Sequence, residues 1–101
     1  MREKAQFERL LREGTRRSFG GYTFFIGPRL SRTPRLGILI SRKHAALAVD
    51  RNRIKRCIRE AFRMEQESLQ GLDLLVRPPY GMRASRDTVK DLRTLLRRLA
   101  A

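Results

Sequence analysis

The 101 residues carry 24 Lys and Arg against 10 Asp and Glu, a formal net charge of +14 with a pI near 11.6, on a hydrophobic fraction of 41%. That is apolar enough for one domain over 1–101 with a modest core, and too basic for a chain without a polyanionic partner: nucleic acid first, an anionic membrane surface second. One cysteine excludes an internal disulfide and a Cys-based metal site, and no stretch approaches a signal peptide's core or the ~20 apolar residues of a membrane span, so a soluble, cytoplasmic protein is expected.

Residues 3–13 read as a short helix, with Phe7, Leu10 and Leu11 at i, i+3, i+4 and Gly14 as its stop. Arg16, Arg17, Gly20 and Gly21 suggest a flexible basic turn. Tyr22 to Ile26 has the aromatic, β-branched composition of a strand. Alternation puts Thr23 and Phe25 on one face and Tyr22, Phe24 and Ile26 on the other. Gly27-Pro28 ends it, and a polar basic loop runs to Pro34. Residues 35–40 form a second strand, apolar enough to lie centrally. Ser41-Arg42-Lys43-His44 follows, and a helical pattern then runs from about Ala46 to Leu69, closed by Gly71. Residues 72–77 make a third strand, stopped by Pro78-Pro79. Ser85 is a candidate cap for a last helix carrying Val89, Leu92, Leu96 and Leu99 inward, with Lys90, Arg93, Arg97 and Arg98 outside. The order predicts an α+β sandwich of helices on a small sheet, with at least one parallel strand pair across the passage 35–77.

The stretch 51–63 holds six cations and one anion in thirteen residues. Around a helix, Ile54, Cys57, Ile58, Ala61 and Phe62 fall within roughly 140°, while Asn52, Arg56, Arg59 and Arg63 fall within roughly 60° on the opposite side. Arg53 and Lys55 flank that stripe. The acids Glu60, Glu65 and Glu67 are too few to neutralise it as an ordinary solvated face. Cys57, on the apolar side, reads as a small core residue.

Catalysis by side chains has little to build on. The acids are scattered among cations, His44 is the only histidine, and no phosphate-binding glycine loop is present. His44 in its basic turn reads as an RNA or solvent contact. No catalytic residue and no protein metal site are assigned. What remains is cation and stacking chemistry. Residues 42–63 carry eight cations against Asp50 and Glu60, a net of +6. Phe7 and Phe25 fit core packing and base stacking equally well by spacing. If five to eight phosphates are neutralised, log K falls with log salt at a slope of roughly −4 to −7. Twenty of the 24 cations are arginine, which suits structured RNA. GC-rich coding or a hot habitat gives the same bias, so the ratio decides little.

The run Arg51-Asn52-Arg53-Ile54-Lys55-Arg56-x-Ile58-Arg59-Glu60-x-Phe62-Arg63 resembles the RNR signature of the bacterial ribonuclease P protein family. Upstream, Arg35-Leu36-Gly37-Ile38 and Ser41-Arg42-Lys43 resemble that family's strand and basic segment, although Arg42 stands where lysine is common. The resemblance implies a two-layer α/β sandwich with a mixed four-stranded sheet and a left-handed βαβ crossover, a topology shared with a domain of a small-subunit ribosomal protein. It implies a protein subunit of an endoribonuclease that removes the 5′ leader of precursor tRNA, with the Mg²⁺-dependent active centre on the RNA subunit. Partners would be ribonuclease P RNA and precursor tRNA, with no membrane and no required protein partner. Carried over by position, Arg42, Lys43, Arg51, Asn52, Arg53, Lys55, Arg56, Arg59 and Arg63 would face the catalytic RNA. Phe7, Thr23 and Phe25 would line the leader cleft. The alternative is a ribosomal or general structured-RNA-binding protein without a nuclease role. A helix-turn-helix regulator fails on the three strand-like segments.

Overall fold

Two glycines decide how the chain first turns back on itself. Gly20 and Gly21 take φ of 53° and 84°, the left-handed pair that a two-residue hairpin turn needs and that a side chain would strain. The computed structural model describes residues 4–27, 35–69 and 72–100; for 4–7 and 35 it describes the backbone alone. The elements are α1 (Lys4–Glu13), β1 (Thr15–Phe19), β2 (Tyr22–Gly27), β3 (Arg35–Ile38), α2 (Ala48–Met64), β4 (Asp73–Arg77) and α3 (Thr88–Ala100).

β1 corrects the expected flexible turn. Arg16 and Arg17 lie inside a strand, paired antiparallel with Phe25 and Phe24. An outer strand of Thr, Arg and Ser is mostly exposed and has no apolar alternation to betray it. The sheet order is β1-β2-β4-β3, with β2 and β4 antiparallel and β3 and β4 parallel. The parallel pair spanned by α2 is the one the strand–helix–strand passage requires. β3, however, lies at an edge and not in the centre, and it stops at Ile38. β4 takes the central place because it is apolar on both sides: Leu74 and Val76 are buried on one face and Leu75 on the other.

The main core fills the first of those faces. Tyr22, Phe24, Leu74 and Val76 meet Ile54, Ile58, Ala61 and Phe62 of α2 and Leu92, Leu96 and Leu99 of α3. Cys57 packs half-buried against this core, and burial pushes its thiol up. On the opposite face a smaller cluster joins Leu10 of α1 to Phe25 and Leu75.

Both ends of the central helix move inward from the expected ones. Leu47 precedes α2 with extended backbone and no side-chain cap. In place of a cap, Arg51 Nη1 donates to the carbonyls of Ala45 and Ala46 at 2.9 and 3.0 Å, tying down the approach. At the other end the helix closes at Met64 and continues as turns through Leu69. Leu69 is fully buried, which is why the apolar period runs on past the helix. Ser85 is not the residue next to the helix start as expected: its N–H donates to Thr88 Oγ1 at 2.8 Å in a turn that precedes α3, which begins at Thr88.

Glu65 links the two long helices. Its carboxylate is buried, with a side-chain exposure of 7%, and Oε1 accepts from Arg93 Nε at 3.0 Å and Arg97 Nε at 2.8 Å. Glu65→Ala leaves two partly wet guanidiniums without their shared anion and is expected to cost about 1–3 kcal/mol. Urea denaturation checks this, and a loss below ~0.5 kcal/mol would show that water replaces the carboxylate fully.

Candidate nucleic-acid interface

α2 turns its apolar stripe into the core so completely that its other side must face out. Ile54 and Ala61 are fully buried and Ile58 nearly so. Asn52, Arg53, Arg56, Arg59 and Arg63 are exposed along the opposite side, with Lys55 half-buried beside them. Arg53, Lys55, Arg56 and Arg59 have no ion-pair partner among the described residues. Two of the expected RNA-facing residues are engaged internally. Arg51 holds the loop before the helix, and Arg63 pairs with Glu60 through Nη2 at 2.6 Å and Nε at 3.3 Å. That hydrogen bond holds the Glu60 carboxyl below its ordinary range. Glu65 points to α3 and leaves the arginine row alone.

The loop after β3 extends this surface. Arg42 and Lys43 are exposed, and the turn carrying them is knotted by Ser41. The Lys43 N–H donates to Ser41 Oγ at 3.3 Å, and the His44 N–H donates to the Ser41 carbonyl at 3.0 Å. His44 is not the solvent or RNA contact the sequence suggests. It is 5% exposed, and its Nδ1 accepts the Ser41 N–H at 2.8 Å. Burial lowers its pKa, and the Arg77 charge pushes the same way. A neutral ring with Nδ1 as acceptor carries its proton on Nε2, which is buried and has no hydrogen-bond partner. The histidine is the turn's internal post.

The third part is the sheet face away from α2 and α3. Thr23 and Phe25 share it, as alternation requires. The strand register adds Arg16 opposite Phe25 and Arg77 opposite Thr23. The two guanidinium carbons lie 6.0 and 5.9 Å from the Phe25 ring centroid, and Arg77 Nη2 donates to Thr23 Oγ1 at 3.4 Å. Phe25 is only 6% exposed, packed on Leu10 and Leu75. The face therefore presents cations over a covered ring, and most of the Phe25 surface is spent on packing. Arg16 and Arg77 were missed because pairing register is not written in either strand alone. Phe7 lies on α1, but its side chain falls outside the described residues.

These three surfaces offer phosphate-binding groups and few others. Among the described residues no three His, Cys, Asp or Glu side chains gather as a metal site would require. No helix among them is long and apolar enough to cross a membrane.

Comparison with known proteins decides the family. The family model described as Ribonuclease P matches residues 1–100. The chain belongs to the ribonuclease P protein family. The "Ribonuclease P protein component" of Nitrosococcus oceani is 43% identical over 74 residues, covering 73% of this chain and 62% of that protein. That of Alcanivorax borkumensis is 47% identical over 57 residues, covering 56% and 47%. The chain thus matches between about half and two thirds of the length of these relatives. Among solved structures, the RNase P protein from Thermotoga maritima superposes with a TM-score of 0.78 at 24% identity, covering 97% of each chain. The Staphylococcus aureus RNase P protein gives 0.70 at 28% identity, covering 99% of this chain and 85% of that one. The mixed four-stranded sheet with three helices is the fold of this family.

Proposed function

We propose that this chain is the RNA-binding subunit of ribonuclease P, which removes the 5′ leader of precursor tRNA in the bacterial cytoplasm. The observation that carries the proposal is the row Arg53, Lys55, Arg56 and Arg59, exposed or half-buried on a core-locked helix and without ion-pair partners among the described residues. Family membership supports ribonuclease P RNA as the target of that row, with Arg42, Lys43, Asn52 and Arg63 extending the contact. Arg51 contributes by setting the loop that carries Arg42 and Lys43. The sheet face around Thr23 and Phe25 takes the single-stranded leader, with Arg16 and Arg77 as the groups that meet its phosphates. Hydrolysis is assigned to the RNA subunit and its Mg²⁺, as the likeness to the family implies. The protein raises affinity and lowers the Mg²⁺ needed, by supplying cations where RNA strands converge.

Reconstitution tests it. Adding the protein to a bacterial ribonuclease P RNA at low Mg²⁺ is expected to raise cleavage of precursor tRNA and tighten binding of leader-bearing substrate. No gain in either would refute the assignment and leave a general structured-RNA binder.

A further inference from the structure

Beyond β4 the chain leaves the sheet through Pro78 and Pro79 and turns at Tyr80 and Gly81, where Gly81 takes φ 73°. This turn is pinned to the 41–44 loop twice. The Gly81 N–H donates to the His44 carbonyl at 2.9 Å. The Tyr80 ring lies on the His44 imidazole, 4.5 Å between centroids and 20° from parallel. His44 is itself buried and held by Ser41, so the lower face of Tyr80 rests on a fixed floor. Yet Tyr80 as a whole is 63% exposed. A large ring held rigid on one side and wet on the other is a surface prepared for a second ring.

We infer that Tyr80 is a stacking platform for one unpaired base of the single-stranded RNA, with the flanking phosphates drawn to Arg42 and Lys43. The inference rests on the RNA-binding function proposed above and adds a contact to it. Three observations favour a nucleotide over another occupant. Arg42 and Lys43 precede His44 in the same turn and are exposed. Arg77, 5.9 Å from the Phe25 ring, ends β4 three residues before Tyr80. The cations of the open sheet face therefore lead to the platform. And stacking on a preformed platform loses little side-chain freedom, because His44 and Gly81 have already fixed the turn. The structural alternative is that Tyr80 serves only to cover His44, a task any apolar side chain would perform.

The test separates these. The chain has two tyrosines and no tryptophan, and Tyr22 is buried, with its pKa pushed up to about 12 chiefly by desolvation. Of the two tyrosines a base can therefore reach only Tyr80, and quenching of tyrosine emission reports the stack. The unaltered 101-residue chain, Tyr80→Phe and Tyr80→Leu are titrated with a short single-stranded RNA carrying one 2-aminopurine, at several salt concentrations, after thermal melts establish folding. Tyr80→Phe should bind as the unaltered chain does. Tyr80→Leu, which covers His44 without a π-face, should lose roughly 5- to 100-fold in affinity. Its salt slope should not change, because a stacked base releases no counterion. If Tyr80→Leu binds like the unaltered chain, or loses affinity together with salt slope, the platform is refuted. Binding of ribonuclease P RNA, measured alongside, distinguishes the two failures. If the unaltered chain binds neither RNA, the function falls and takes the platform with it; if it binds both and only the Tyr80 effect is missing, the function stands.

Discussion

A chain carrying Ala at Arg53, Arg56 and Arg59 is expected to bind ribonuclease P RNA roughly 10²- to 10³-fold more weakly near 0.1 M salt, with a salt slope flatter by about 2–3. All three residues are exposed on α2 and have no ion-pair partner among the described residues, so their removal breaks no ion pair there. Alanine is also the better helix former. The loss should therefore appear in binding and not in the melting curve. Fluorescence anisotropy across a salt series reads both numbers. A variant that binds weakly but keeps the original slope would mean these arginines do not meet phosphate, and the interface would have to be sought elsewhere.

Phe24→Ala produces the complementary failure. Phe24 is fully buried, 6.1 Å from Phe19 and 6.2 Å from Tyr22 between ring centroids, at the centre of the face that holds α2 and α3. Emptying that site is expected to cost about 3–5 kcal/mol, against a total of about 5–15 kcal/mol for a domain of this kind. Thermal denaturation followed by circular dichroism should show Tm lower by at least about 12 °C. RNA binding should fall only to the extent that folding does, and a low temperature should restore it. A change under ~1 kcal/mol would indicate that this core repacks without difficulty.

The two variants divide the molecule as the spacing of 51–63 divides it. The helical period of Ile54, Ile58, Ala61 and Phe62 made both sides of α2 legible, since whatever faces away from them is exposed. Alternation likewise placed Thr23 and Phe25 together. What stayed hidden depended on pairing between distant segments. β1 has no apolar pattern because an outer strand needs none, so its Arg16 looked like a loop residue. The central place of β4 followed from burial of Leu74, Leu75 and Val76 on two faces, whereas the run 35–40 is equally apolar and lies at the edge. Phe25 shows the limit most clearly. Its face was readable, but the cover supplied by Leu10 was not, and the ring proves to be packing beneath two arginines. His44 was misread for the same reason: its neighbours in sequence are charged, while its neighbours in space are Ser41 and Tyr80.

The uncompensated row on α2 has a price in the free protein. Arg56 and Arg59 stand three apart, and Lys55 and Arg59 four apart, spacings at which like charges repel by roughly 0.2–0.5 kcal/mol a pair. Added salt screens that repulsion within about 10 Å at 0.1 M. The unbound protein should therefore grow more stable over the same range of ionic strength in which its hold on RNA weakens. The fold and its task respond to salt with opposite sign, and the polyanion itself is the more effective counterion. On the RNA-binding function proposed above, a bound polyanion would relieve the repulsion that the free helix carries.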